Sequence, residues 1–212
     1  MTLTNSPPPR STYRHGDLYR ALLDAGIELA RDGGPDAVVL REATRRAGVA
    51  PNAAYRHFGS RHELLQAVRS AASSALAVAM ETELAGLRRS KRPADFARAS
   101  LRALGIGYLR FAQTETGLFR MFAVPDESEG DVDPAKAGYS GLGPIQLLGA
   151  ALDKLVETGV LPAERRPGAE YLAWSAVHGL ATLVIDGPLR NLPPAQVDAV
   201  SQRLVDMVEK GL

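Results

Sequence analysis

Between residues 38 and 65 the chain gathers side chains suited to gripping an anionic polymer. Arg41, Arg45, Arg46, Arg56 and Arg61 are opposed, before Glu63, by the single acid Glu42. Asn52, Tyr55 and His57 stand among them. Guanidinium groups pair with phosphate oxygens, an Asn amide can bond a base edge, and Tyr and His can meet either a base or the backbone. A solvated, basic helical hairpin would have the same composition. What separates the two is whether a rigid element presents these groups together.

The local pattern supplies such an element. Leu40, Ala43 and Ala47 fall on one helical stripe, and Gly48, which tolerates positive φ, stops that helix. Pro51 fits a first helical position, where its missing N–H would have had no partner. A second helix is therefore predicted from Pro51 through about two turns to Phe58, ended by Gly59. Ser60 with Glu63 three residues on forms a capping box and starts a third helix at Arg61. Two helices joined by a short Gly-centred turn are the geometry of a helix-turn-helix, whose second helix can lie in a DNA major groove.

The stretch AGVAPNAAYRHFGSRHELL resembles the DNA-binding signature of the TetR family of bacterial transcriptional regulators: Ala-Gly-Val, a short helix ending in Tyr-x-His-Phe, then Ser and a basic residue before Glu-Leu-Leu. Upstream, YRHGDLYRALLDAG resembles the family's first helix, which extends the likeness to about residues 13 to 65. The resemblance implies that Asn52, Ala53 and Tyr55 face the groove and that Tyr55, His57 and Arg61 reach phosphate, with Arg41 and Arg56 as further basic contacts. Two positions depart from the family pattern. Val39 and Ala50 stand where Ser or Thr often caps a helix, and each missing cap costs about 1 kcal/mol.

Length and composition agree with a folded, two-module chain. Its 212 residues are 45% hydrophobic and 23% charged, which excludes a disordered chain. No apolar run approaches the roughly 20 residues that cross a bilayer, and MTLTNSPPPRSTYRHG lacks the apolar core of a secretory signal. Cysteine is absent, which excludes disulfides and thiolate metal sites and fits a reducing cytosol; with the DNA-binding resemblance, the expected location is cytoplasmic and nucleoid-associated. The net charge of +1 is unevenly spread. Residues 1–70 hold ten Lys/Arg against seven Asp/Glu and three of the four histidines, on a mildly acidic remainder. A basic head on a non-contacting body has that distribution.

In chain order, residues 1–12, with Pro7-Pro8-Pro9, read as a flexible arm: either a frayed terminus or a segment whose Arg10 lies along phosphate. Leu18, Leu22, Ala25 and Leu29 mark an amphipathic helix to about Arg31, stopped by Gly33-Gly34-Pro35. The head is thus predicted over 13–60, and an effector-binding and dimerisation body over 61–212. A long helix from Arg61 to about Gly86 joins them. Arg88, Arg89, Lys91 and Arg92 form a basic linker before a helix from Pro93 through Tyr108 and Phe111. A short aromatic helix follows at Gly117–Phe122. Asp126 to Asp133 reads as a mobile surface loop. It fails as a calcium loop because the fifth position is Gly130 and the twelfth Ala137.

Two further helices are predicted at about 142–157 and 167–185, the second almost without a polar face, so that it must be covered on several sides. The last, about 194–210, has one stripe of Val197, Val200, Leu204 and Met207/Val208. The fold expected is all-α. In the TetR family the last two helices usually form half of an intersubunit four-helix bundle, so the resemblance implies a homodimer through them. Trp174-x-x-x-His178-Gly179, with TGLFRMF upstream, resembles the Trp-His-Gly element of one TetR type of C-terminal domain. Tyr108, Phe111, Phe119, Phe122, Trp174 and His178 would line a mostly apolar effector pocket with little fixed charge. The same residues would also build a solid core, with His178 bonded to a neighbouring side chain.

The pattern contains no Ser/His/Asp order, paired carboxylates in helical register, metal cluster or phosphate loop, so an enzyme is not expected, nor a cofactor. His57 and His62 are separated by the Gly59 break and cannot form an i,i+4 zinc pair. The reading is a homodimeric regulator, a repressor released from an inverted-repeat operator on double-stranded DNA by a small-molecule effector. The alternative is a small-molecule-binding helical protein whose head binds DNA weakly or not at all.

Overall fold

The computed structural model describes residues 15–88, 90–127 and 133–212; the proposed arm, Arg89 of the basic linker and the centre of the acidic loop lie outside them. The described residues form helices and turns with no strand, as the patterning predicts. The helices are α1 (His15–Ala37), α2 (Leu40–Arg46), α3 (Pro51–Ala54), α4 (Arg61–Ala85), α5 (Pro93–Thr114), α6 (Thr116–Phe119), α7 (Pro144–Glu157), α8 (Ala169–Ile185) and α9 (Pro194–Gly211). No helix among the described residues is long and apolar enough to cross a membrane.

The head is built on α1. Its regular turns end where Gly33 (φ −150°) and Gly34 (φ +67°) leave helical geometry, at the glycines expected to stop it. Leu22, Val38, Leu64 and Val68 are fully buried between α1, α2 and the first turns of α4, and Leu29, Ala43, Ala54 and Phe58 close around them. Gly26 lets α1 approach α4 closely, since a Cβ there would lie 2.8 Å from Val68 Cγ2. The head core therefore includes α4, and the long helix belongs to both modules.

Helix α5 is the axis of the body and touches α4, α6, α7, α8 and α9. Gly107 brings it against the α4 backbone, where a Cβ would sit 2.8 Å from Met80 Cα. At its other end, Arg98 and Arg102 reach the Glu209 carboxylate on α9, whose side chain is only 3% exposed. A buried carboxylate needs such partners, because removing one leaves an uncompensated charge.

The last two helices differ from the expectation. The single stripe predicted for α9 is split: Val197, Ser201, Val205 and Glu209 face inward, while Val200 and Met207 are exposed. The inward face is chosen by α5, where Gly105 receives the Val205 side chain. On α8, Ala173, Val177, Leu180 and Ala181 are buried, whereas Tyr171, Leu172 and Leu183 are exposed on this chain.

Candidate nucleic-acid interface and body cavity

Helix α2 ends at Gly48, in the left-handed region at φ +67°, and α3 starts on Pro51 at its first position. Val39 and Ala50 take the N-cap positions with no side-chain cap bond among the described residues, so both departures noted in the sequence are structural. The predicted two-turn helix is shorter. Regular α geometry stops at Ala54, and the chain continues as a tight turn in which His57 N–H donates to Ala54 O at 2.9 Å and Phe58 N–H to the same oxygen at 2.9 Å. Phe58, 2% exposed, anchors that turn, its ring stacked on Tyr19 with centroids 4.8 Å apart.

Anchoring Ala54 and Phe58 inside leaves the rest of the segment outside. Asn52 and Arg56 are exposed and Tyr55 is 54% exposed; Ala53 and His57 are half-buried at the margin. Arg41 is exposed on α2. Its neighbours are engaged within the head: Arg45 bonds Glu42, which holds that carboxyl below its ordinary range, and Arg46 pairs with Asp32 at 2.7 Å.

Arg61 has a different placement from that expected of a phosphate ligand. Its Nε donates to Val38 O at 2.8 Å and its Nη2 to Pro35 O at 2.7 Å, so the guanidinium holds the α1–α2 connection against α4. The Ser60 cap forms, with Glu63 N–H donating to its hydroxyl, but the reciprocal arm shifts by one residue: Gly59 N–H, not Ser60 N–H, donates to the Glu63 carboxylate at 2.8 Å.

The body contains a cavity of about 310 Å³ bounded by α4, α5, α7, α8, α9 and the segment before α7. Three of the six expected residues, Tyr108, Phe122 and Trp174, line it. The other three do not. Phe111 is in the closed core, and Phe119 and His178 stand behind the wall, Phe119 edge-on to Tyr108 and Phe122. Helical periodicity cannot separate a residue lining a void from one a single position further round.

Tyr108 hydroxyl and His178 Nδ1 share a hydrogen bond of 2.8 Å, and the hydroxyl accepts from Trp174 Nε1 at 3.4 Å. Burial pushes the tyrosine up to about 12 and lowers the histidine, so both stay neutral. Of the two sequence readings of His178, the core histidine bonded to a neighbour matches this placement.

The sequence reading missed the charged part of the lining. Arg69, Asp126, Asp133 and Lys136 border the cavity, with Ser73 and Gln146. Arg69 Nη1 and Lys136 Nζ contact the same Asp126 carboxylate at 2.7 and 2.6 Å. Arg69 directly follows Val68 on α4, and only its place beside the buried Leu65, Val68 and Ala72 hinted at this role.

A basic three-helix head with an outward helix-turn-helix, joined through one long helix to a larger helical body with a cavity, has the architecture of a DNA-binding regulator. Family comparison identifies which kind. Residues 22–68 match the model described as "Bacterial regulatory proteins, tetR family", and residues 101–208 match "Tetracyclin repressor-like, C-terminal domain". The chain belongs to the TetR family of transcriptional regulators, and its N-terminal module is the family's DNA-binding domain.

Solved structures agree on the fold. A protein of unknown function from Rhodococcus sp. RHA1 is 26% identical, with TM-score 0.73 over 96% of this chain and 99% of that one. The transcriptional regulator FadR from Bacillus subtilis, solved with stearoyl-CoA, is 13% identical with TM-score 0.66 over 92% and 99%. A TetR variant from Acinetobacter baumannii AYE, solved with minocycline, is 17% identical with TM-score 0.59 over 94% and 96%. Comparison with curated proteins gave no match.

Proposed function

We propose that the protein is a homodimeric repressor that binds an inverted-repeat operator and releases it when a small molecule enters the body cavity. The observation that carries the reading is the outward display of Asn52, Tyr55 and Arg56 from a turn pinned by Phe58. Asn52, Ala53 and Tyr55 read base edges or the groove; Tyr55, Arg56, His57 and Arg41 meet phosphate. Arg61 holds the frame on which they stand. A two-fold assembly presents this display twice, so half-sites lie about one helical turn or a multiple apart.

The exposed apolar residues Leu172 and Leu183 on α8 and Val200 and Met207 on α9 support pairing through the last two helices. The effector reading is supported by the cavity and by two proteins of this fold solved with small molecules, stearoyl-CoA and minocycline. By linkage, a ligand that favours a misplaced head lowers DNA affinity by the same factor that DNA lowers ligand affinity, typically about 1–3 kcal/mol.

The test is footprinting of the purified protein on DNA flanking its own gene, with light scattering for mass. A protected inverted repeat bound by a dimer is expected. Uniform, sequence-independent binding or a monomer would overturn the reading and leave the helical small-molecule-binding protein in its place.

A further inference from the structure

The charged part of the cavity has an asymmetry that bears on what enters it. Arg69 and Lys136 are mostly covered, with side chains 14% and 15% exposed, while the Asp126 carboxylate between them is 36% exposed; the second acid of the lining, Asp133, is taken up by Ala135 N–H and the Ser70 hydroxyl. Cations held out of water need an anion in contact, because their desolvation is costly. Asp126 is the more exposed partner of the trio, whereas Arg69 is fixed on α4 by its Nε, which donates to Val124 O at 2.9 Å. The rest of the lining is different in kind. Leu76 and Met80 on α4, Leu104 on α5 and Val177 on α8 form an apolar wall. The lining positions on α4, Arg69 to Met80, span about 16 Å along the helix.

From this arrangement we infer that the cavity takes an elongated amphipathic anion, whose acidic head displaces Asp126 from Arg69 and Lys136 and whose apolar body lies along α4. Asp126 is the built-in stand-in for that head. The inference deepens the effector reading above and rests on it. It also gives the exchange a route to the head. Asp126 belongs to a segment fastened to the first turns of α4: Gln66 Nε2 donates to Pro125 O at 3.0 Å, and His62 Nε2 lies 2.7 Å from the Glu127 carboxylate. Those turns of α4 carry Leu64, Leu65 and Val68 in the head core. Expelling Asp126 loosens this fastening beneath the DNA-contacting face.

The experiment is calorimetric titration of the full-length protein, without DNA, with dodecanoate, dodecyl phosphate, dodecanol and dodecylamine below their micelle concentrations. Charge-assisted bonds to two mostly covered cations are expected to make at least one of the two anions bind about tenfold or more tighter than dodecanol and dodecylamine. The comparison of dodecanoate with dodecyl phosphate then tells a carboxylate head from a phosphate head. Asp126→Asn should tighten the preferred anion severalfold, and Arg69→Met should erase its advantage while dodecanol binding persists. Equal affinity for all four heads, preference for the amine, or an Asp126→Asn protein that binds the anion no better would overturn the inference. A protein that fails at footprinting yet passes these titrations would lose the regulator reading and keep the ligand class.

Discussion

Gly117 lies directly against the backbone of Ala30. A Cβ at position 117 would collide with the carbonyl oxygens of Ala30 and Arg31 and stand 2.7 Å from the Arg31 carbonyl carbon. Here α6 of the body meets α1 of the head at backbone distance, near the Arg31–Glu115 ion pair. Gly117→Ala must push the two helices apart, and overpacking of this kind costs about 1–3 kcal/mol. Urea unfolding should show the midpoint falling with little change in slope. An unchanged midpoint would mean that α1 and α6 do not pack this closely in solution.

The two kinds of contact proposed for the DNA face separate in a salt titration. Arg56→Ala should weaken binding to operator and random DNA alike and reduce the slope of log K against log salt by about one. Asn52→Ala should leave that slope alone and relax base preference at particular operator positions. Binding measured over a salt series, with selection from a randomised operator, distinguishes the two.

Arg61 should behave as a structural residue. Its partners are carbonyls of Val38 and Pro35, so Arg61→Ala is expected to cost the head about 1 kcal/mol, a figure kept low because one of the two bonds is solvent-exposed. The salt slope of DNA binding should not change. A drop of about one unit would instead give Arg61 the phosphate contact that the family resemblance implies.

His178 predicts the acid side of the stability profile. Its folded value is lowered by burial from an ordinary 6.5, and its Nδ1 is hydrogen-bonded to the Tyr108 hydroxyl. The unfolded chain therefore takes up a proton first as pH falls. Stability should be complete above about 6.5, decline below it, and level off once pH passes the folded value. His178→Gln should remove this decline. Thermal melts of both proteins between pH 7.5 and pH 5 provide the check, and parallel profiles would exclude His178 as the cause.

The sequence was sufficient wherever the determinant is local. Gly48, Pro51 and the Ser60–Glu63 pair set the helix boundaries of the motif within a few residues, because caps and turns are short-range bonds. The periodicity of Leu64 to Met80 gave the long helix its length and buried face.

What remained for the tertiary structure are matters of which distant neighbour covers a face. Arg61 meets carbonyls 23 and 26 residues away, which no local pattern encodes. Arg69, Asp126 and Lys136 come together only because the segment before α7 lies along α4. Phe122 borders the void while Phe111 is sealed in the core, although both are aromatic residues in apolar helical stretches. Periodicity identifies an apolar face; only packing decides whether that face meets another helix, an empty volume or a second chain.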